Sequence, residues 1–505
     1  MSDVSVHTEA VIPPAGPPQR RGRGLALLLA VVAGLAAIIL VYSQTLSFAW
    51  DEGFHLLAAQ LIDRGQLPYV DYCFPQTPLN AFWVAFWLHV FTDSWRVAHV
   101  VASLQTVGAI FLVGQFMLSR FPDVRWRTPA SIAAALFFGL SLIVIQYGTV
   151  AQAYGLCLLC IVGAYRLAVI ARGQTIPLAA AGAGLLAGIA AGSSLLSAPI
   201  GPVILIWLLV YSLPGKRLAN AAGVVAGEFV AFLPVLWLYL KFPQQTVFNI
   251  LAYNMSYRRL DWPGNEKHNW EEITAWMNSP QSLILMCLAI AGAVFVFRRG
   301  GWERARKAEY YLCAWIVPLE ALYLCTPHPT FRRYFLFTVP FLSILAVAGL
   351  YWAVSSMGAA EHPWRPVLIA TSVFALSFGR SFYDENIDSF GWADIEEMAQ
   401  KVKKVTPPDA TLWADEQIFF LLKRPVPDGM ETADSHKLQF PPAKAAQLHV
   451  VPRPELYKKV RAGYYHTVAT CGDDDLIADL GLEKMYAHKE DVEDCTIFWD
   501  VTPKK

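Results

Sequence analysis

The chain is 505 residues long, 55% hydrophobic and 13% aromatic, with 16% charged residues and no net charge. Soluble domains carry about a quarter charged residues, so this composition excludes an ordinary soluble protein and points into a bilayer. The absence of a basic excess excludes nucleic acid as a partner.

Residues 1–24 (MSDVSVHTEAVIPPAGPPQRRGRG) are polar, Pro-rich and end among three arginines, which reads as a disordered cytoplasmic N-terminus. The run from Leu25 to Trp50 is uncharged and covers about 39 Å as a helix at about 1.5 Å per residue. A cleaved signal peptide has a shorter core and a small-residue cleavage site, so a retained anchor is expected. Arginines before it and acids after it set its amino end in the cytoplasm.

Glu52–Arg64 then puts Phe54, Leu57, Ala58, Leu61 and Ile62 at helical spacing, the pattern of an amphipathic helix lying on the membrane. The stretch GQLPYVDY turns the chain back and supplies Asp71. The apolar run 79–91 follows two prolines and is dense in Trp and Phe. Its 13 residues reach about 20 Å against about 30 Å of hydrocarbon, so it is expected to lie in the interface.

Ten more apolar runs follow near 95–118, 130–147, 153–171, 177–193, 198–213, 219–241, 280–297, 309–326, 333–356 and 364–379. Basic clusters mark cytoplasmic loops: Arg120 with Arg125 and Arg127, Arg166 with Arg172, Lys216 with Arg217, and Arg298, Arg299, Arg304, Arg306 and Lys307. If 79–91 crossed, the first two clusters would fall outside; if it does not, all four fall inside. The expectation is therefore about eleven spans over 25–379, with an outer loop at 51–93. The loop 243–279, the turn 327–332 and the C-terminal domain share its side.

From Arg380 the composition turns charged and mixed. DATLWADEQIFFLL, AQLHVVP, GYYHTVATC and DCTIFWDV read as strands; DIEEMAQKVKKV, ELYKKVRA and DDDLIADL read as helices. Their alternation predicts a small α/β domain over 380–505. Cys471 and Cys495 lie in it, where oxidation and a disulfide are expected, whereas Cys157 and Cys160 inside a span read as packing. His436, His466 and the acids Asp473–Asp475 form no constellation, and the acids read as a solvated helix start.

The remaining feature is the acid pair Asp51 and Glu52 where the first span meets the outer surface. It can be solvation and topology marking, or a general base whose proton affinity is raised at a low-dielectric boundary. The stretch WDEGFHLLAAQLIDRGQLPYVDYCFPQTPLNAFWVAFW resembles the first periplasmic loop of GT-C type polyprenyl-phosphate-sugar glycosyltransferases. That superfamily includes protein O-mannosyltransferases, the lipid A aminoarabinose transferase and rhizobial galacturonosyltransferases. Asp51, Glu52, Gly65, Pro68, Tyr69, Asp71 and Pro78 carry the match. It extends over residues 25–240, and later spans match in layout.

The resemblance implies an α-helical polytopic membrane protein of GT-C type in the cell inner (plasma) membrane. It implies a polyprenyl-phosphate-linked sugar donor and a glycan, lipid or protein acceptor. Asp51 would be the base, with Glu52 the second candidate, and transfer would invert the anomeric centre without a nucleotide. Family members carry a second acid after the third or fourth span; here QYGTVAQAYGLCLL has none, and Gln152 or Tyr154 stands in its place. One carboxylate pair rarely makes a hard-cation site, so no cofactor is expected and a divalent metal is not favoured. The element RRYF is similar to the family's Arg/Lys-Tyr motif and, with TPHPTF before it, offers His328, Arg332, Arg333 and Tyr334 to the donor phosphate. The same arginines can snorkel to headgroups. Arg258 and Arg259, with Lys267 and His268 nearby, suit phosphate or interfacial anchoring. His55, Tyr69, Asp71 and Gln76 of the first loop, with Gln152 and Tyr154 of the second, complete the expected substrate-facing set.

Two other readings compete: a transporter or flippase of lipid-linked glycans, and a non-catalytic scaffold of GT-C type. A transporter buries ionisable groups mid-span and often repeats internally. Glu228 is the one clear mid-span ionisable group, and the hydrophobic pattern does not repeat.

Overall fold

The computed structural model describes residues 18–173, 177–260, 264–298, 301–386, 390–471 and 474–502. Most of the predicted disordered N-terminus lies outside them, as do Arg299 and Asp473. The first elements are α1 (Pro18–Thr45), α2 (Glu52–Asp63), α3 (Leu79–Val90), α4 (Trp95–Arg120), α5 (Arg127–Gly139) and α6 (Leu142–Tyr147). They continue as α7 (Tyr154–Gly173), α8 (Pro177–Ser193), α9 (Ile200–Tyr211), α10 (Arg217–Ala231) and α11 (Leu233–Lys241). Long helices Pro280–Phe297, Arg304–Leu324, Val339–Ser356 and Trp364–Asn386 complete the helical part.

Each apolar run is helical, but the runs differ in their capacity to cross a bilayer. Among the described residues, six helices are long and apolar enough, or seven if the pair α10 and α11 counts as one span bent by 54°. The bend falls where Pro234, near the start of α11, cannot donate to the preceding turn. The run 130–147 is broken between α5 and α6. There Gln281 takes over the backbone, accepting from Leu142 N at 2.9 Å and donating to Leu140 O at 2.6 Å. Irregular backbone at depth persists only with such a partner. The helix α3 has 12 residues, about 18 Å, too short to cross.

Small residues let helices approach closely where burial of apolar area gives no driving force. A Cβ on Gly184 of α8 would sit 1.9 Å from the Val224 carbonyl of α10. Helix Val339–Ser356 is apolar and buried from Val339 to Leu350, as the centre of a bundle requires.

Two sequence expectations are overturned here. The helix α2 does not lie on the membrane with a wet face: every residue from Glu52 to Leu61 is buried. The C-terminal domain covers its outer side. Gln417 donates to Trp50 O at 2.8 Å, and Gln60 of α2 donates to Phe420 O at 3.0 Å. The contact is close at Gly53, where a Cβ would sit 2.4 Å from the Gln417 side chain and displace it. The last long helix also does not stop near Arg380. It runs to Asn386, carried past its apolar part by an Arg380–Asp384 pair one turn apart at 3.8 Å.

Among the described residues the C-terminal domain holds four strands: β1 (Leu412–Trp413), β2 (Thr467–Cys471), β3 (Tyr486–Val492) and β4 (Cys495–Val501), in the order β1-β2-β4-β3. The β1–β2 pair is parallel and the others antiparallel. The three predicted helices are present as Trp392–Val405, Arg453–Arg461 and Asp474–Leu480; the Asp474 and Asp475 side chains lie outside what is described. In contrast, the second half of DATLWADEQIFFLL is helical (Glu416–Leu422), and AQLHVVP forms no strand. A short apolar run carries no period that separates the two states. Cys471 and Cys495 sit opposite each other on β2 and β4 and form a disulfide.

Candidate active site

A cavity of about 370 Å³ opens where the loop after α1, the loop before α7, the segment after α11 and the turn before helix Val339–Ser356 converge, and ten of the fourteen residues expected to bind or react line it. Asp51, His55 and Gln76 come from the first loop, Gln152 and Tyr154 from the second. Arg258 and Arg259 follow the π-helical segment Phe248–Tyr257, whose wider turn stacks Ile250, Asn254 and Arg258 in one row along the wall. His328, Arg333 and Tyr334 come from the turn before helix Val339–Ser356. Asn269 holds that turn: it accepts from Thr330 N at 2.7 Å and donates to Pro327 O at 3.3 Å and to His328 Nδ1 at 3.1 Å.

Arg333 Nη2 donates to Asp51 Oδ2 in an ion pair joining the first loop to the late turn. The Asp51 side chain is 45% exposed while that of Arg333 is 17% exposed, so the carboxylate is reachable and the cation is sheltered. The guanidinium lies over Phe331, Cζ 4.3 Å from the ring centre, with its Nε buried and without a protein partner. Arg258 donates to Tyr334 Oη at 3.5 Å. Three arginines and two histidines thus converge on a cavity whose single lining acid, among the described residues, is Asp51.

Glu52 does something different. Its side chain is fully buried and does not line the cavity. Oε1 pairs with His99 Nε2 and accepts from Ala151 N at 2.7 Å, and Oε2 accepts from Trp392 Nε1 at 3.2 Å. His99 Nδ1 in turn meets the Ser43 carbonyl at 2.6 Å. Glu52 ties α1, α4, the loop before α7 and the C-terminal domain together, and its burial in this network, away from the cavity, keeps it from a substrate proton.

The other three expected residues also stand outside the cavity. Arg332 turns away to Glu385, 3.3 and 3.4 Å from its two oxygens. Asp71 accepts from Leu67 N at 2.7 Å and closes a turn. Tyr69, fully buried with φ 72°, donates to the Gln76 carbonyl and so acts on the cavity through Gln76. Outside the cavity, Lys267 pairs with Glu271 at 3.5 Å and His268 packs on Phe331.

Sequence reasoning missed Thr77, Ser193, Asn254 and Tyr323, all of which line the wall. Their one sequence signal is a polar residue at the end of an apolar run, as in AGSSLLS. It also missed Glu320, a buried acid on Arg304–Leu324 whose two oxygens have no protein partner, so Glu228 is not the single mid-span ionisable group. Among the described residues, no group of three or more His, Cys, Asp or Glu side chains is arranged to hold a metal ion.

No family profile matches the chain, and no curated protein sequence matches it. Solved structures do. ArnT from Cupriavidus metallidurans, bound to undecaprenyl phosphate, superposes with a TM-score of 0.64 at 14% identity, over 94% of this chain and 97% of that one. The oligosaccharyltransferase of Archaeoglobus fulgidus, tethered with an acceptor peptide, gives 0.51 at 12% identity, over 92% of this chain and 72% of that one. The chain therefore has the polytopic GT-C fold shared by these two enzymes.

Proposed function

We propose that this chain is an integral-membrane glycosyltransferase that moves a sugar from a polyprenyl-phosphate donor to an envelope glycan, lipid or protein, with Asp51 as general base. The observation that carries the reading is the Asp51–Arg333 pair in the wall of a cavity rich in arginine. The similar ArnT structure has undecaprenyl phosphate bound, and an archaeal oligosaccharyltransferase of the same fold has dolichol phosphate. The N-terminus lies in the cytoplasm, and the cavity and C-terminal domain face the extracytoplasmic side of the inner membrane, which agrees with the basic-cluster arithmetic.

The acceptor hydroxyl gives its proton to the Asp51 carboxylate as its oxygen attacks the anomeric carbon. The carbon–oxygen bond to phosphate breaks on the opposite face, so the anomeric centre inverts. The electron pair leaves on the prenyl phosphate, where Arg333 and Arg258 meet the growing charge. No nucleotide is consumed.

The test compares envelope glycolipids and glycoproteins by mass spectrometry with the wild-type chain, without it, and with Asp51→Asn. The expected result is one sugar mass lost without the chain and reduced about 100-fold or more in the variant at equal protein level. An unchanged sugar profile in the variant contradicts the assignment. The buried acid Glu320 favours a second reading, a transporter of lipid-linked glycan. Under it, Glu320→Gln abolishes the phenotype and Asp51→Asn does not.

A further inference from the structure

A leaving phosphate needs positive charge opposite it, which enzymes supply with a divalent ion or with fixed side chains. The oligosaccharyltransferase of Archaeoglobus fulgidus, of this fold, has also been solved in complex with Zn and sulfate. The donor set of this chain does not suit such an ion. Of the acids Asp51, Glu52 and Asp71, only Asp51 reaches the cavity, and the second loop contributes the neutral Gln152 and Tyr154. Mg²⁺ can manage with a single carboxylate beside substrate phosphate. Here, however, Oδ2 of that carboxylate is held by the Arg333 guanidinium, and a divalent ion drawn to Asp51 would meet a like charge at once. Zn²⁺ wants three or more nitrogen, sulfur or carboxylate ligands. His55 and His328 also line the cavity, but His328 Nδ1 is taken by the Asn269 amide at 3.1 Å. Among the described residues no three such groups come together.

What stands beside Asp51 is already a cation. The Arg333 guanidinium lies over the Phe331 ring, Cζ 4.3 Å from its centre, and its side chain is 17% exposed. Arg258 lies over the same ring at 5.9 Å and reaches Tyr334 Oη at 3.5 Å. One aromatic ring thus sets two guanidinium groups on the cavity wall before any ligand arrives. Arginine stays charged at any working pH, and its fork matches phosphate oxygens. A donor phosphodiester brings one negative charge, and the phosphate that leaves carries about −1.5 to −2. A fixed pair of guanidinium groups covers both states without moving.

We infer that Arg333 and Arg258 stand in for a divalent ion: they meet the prenyl-linked phosphate, and the site binds it without metal. The inference rests on the glycosyltransferase reading and adds to it the source of the charge opposite the leaving group.

The full chain, purified in detergent, is titrated with a bare prenyl phosphate in excess EDTA, and again with Mg²⁺, Mn²⁺ or Zn²⁺ added. The affinity is expected to be the same in every condition to within about twofold. Mn²⁺ alone, followed by its paramagnetic resonance, is expected to show no binding that Asp51→Asn abolishes. Arg333→Gln is expected to weaken prenyl phosphate at least about tenfold, in EDTA and with metal alike, while a cooperative thermal transition shows that it folds. An affinity that falls about tenfold in EDTA and returns with a metal overturns the inference. So does Mn²⁺ bound through Asp51, or a folded Arg333→Gln chain that binds prenyl phosphate as the wild type does. The wild-type measurements decide the question even where the variant does not fold. Prenyl phosphate that binds in no condition overturns the glycosyltransferase reading itself, which separates the two failures.

Discussion

Asp51 leaves its carboxylate half exposed beside Arg333, while Glu52, the next residue, is fully enclosed by His99, Ala151 and Trp392. Successive residues at a helix start point about 100° apart, so one turn of α2 sends two adjacent acids to opposite fates. Glu52→Gln is expected to lower stability by about 3 kcal/mol, since a buried pair loses one charge while its partners stay buried. The check is thermal unfolding in detergent beside a donor-binding titration: a lower midpoint with donor binding kept in the folded fraction. Unchanged stability with transfer lost would make Glu52 the base. The acid pair was legible in the sequence as a candidate site. Its division of labour was not, because it depends on His99 and Trp392, 47 and 340 residues further on.

At the scale of elements, α2 shows what an amphipathic pattern leaves open. Phe54, Leu57 and Leu61 announce an apolar face but not what covers the other one, and here the covering element is helix Glu416–Leu422 of the C-terminal domain. That domain therefore forms part of the site's outer support. Its stability should depend on pH through Glu431, which accepts from Gly429 N at 2.8 Å. Burial pushes this carboxyl from 4.5 up to about 7, against the hydrogen bonds it accepts. A raised folded value favours the protonated form, so the contribution is full below about pH 4.5 and is lost as pH rises through about 7. Amide hydrogen exchange in β2 should thus be faster at pH 8 than at pH 5 after correction for intrinsic rates, and Glu431→Gln should reduce that difference. An equal difference in the variant would contradict the assignment. The strands β2 and β4 were legible from β-branched and aromatic alternation. The strand β3 (YAHKEDV) was not, because it is largely polar and exposed and owes its state to pairing with β4.

For the whole molecule, run length marked α3 as too short to cross, and the loops that the charge bias assigns to one side form a common cavity. The bends and breaks were invisible to a hydropathy count, since each depends on one residue, Pro234 at the 54° bend and Gln281 at the α5–α6 break. The fold persists at 14% identity to ArnT. The most direct measurement is the structure of this chain with a polyprenyl phosphate bound. The account predicts the phosphate in the cavity, within about 3 Å of Arg333 Nε and close to Arg258, with Asp51 facing the space beside it. A phosphate held away from Arg333, with Asp51 facing no ligand, would contradict it.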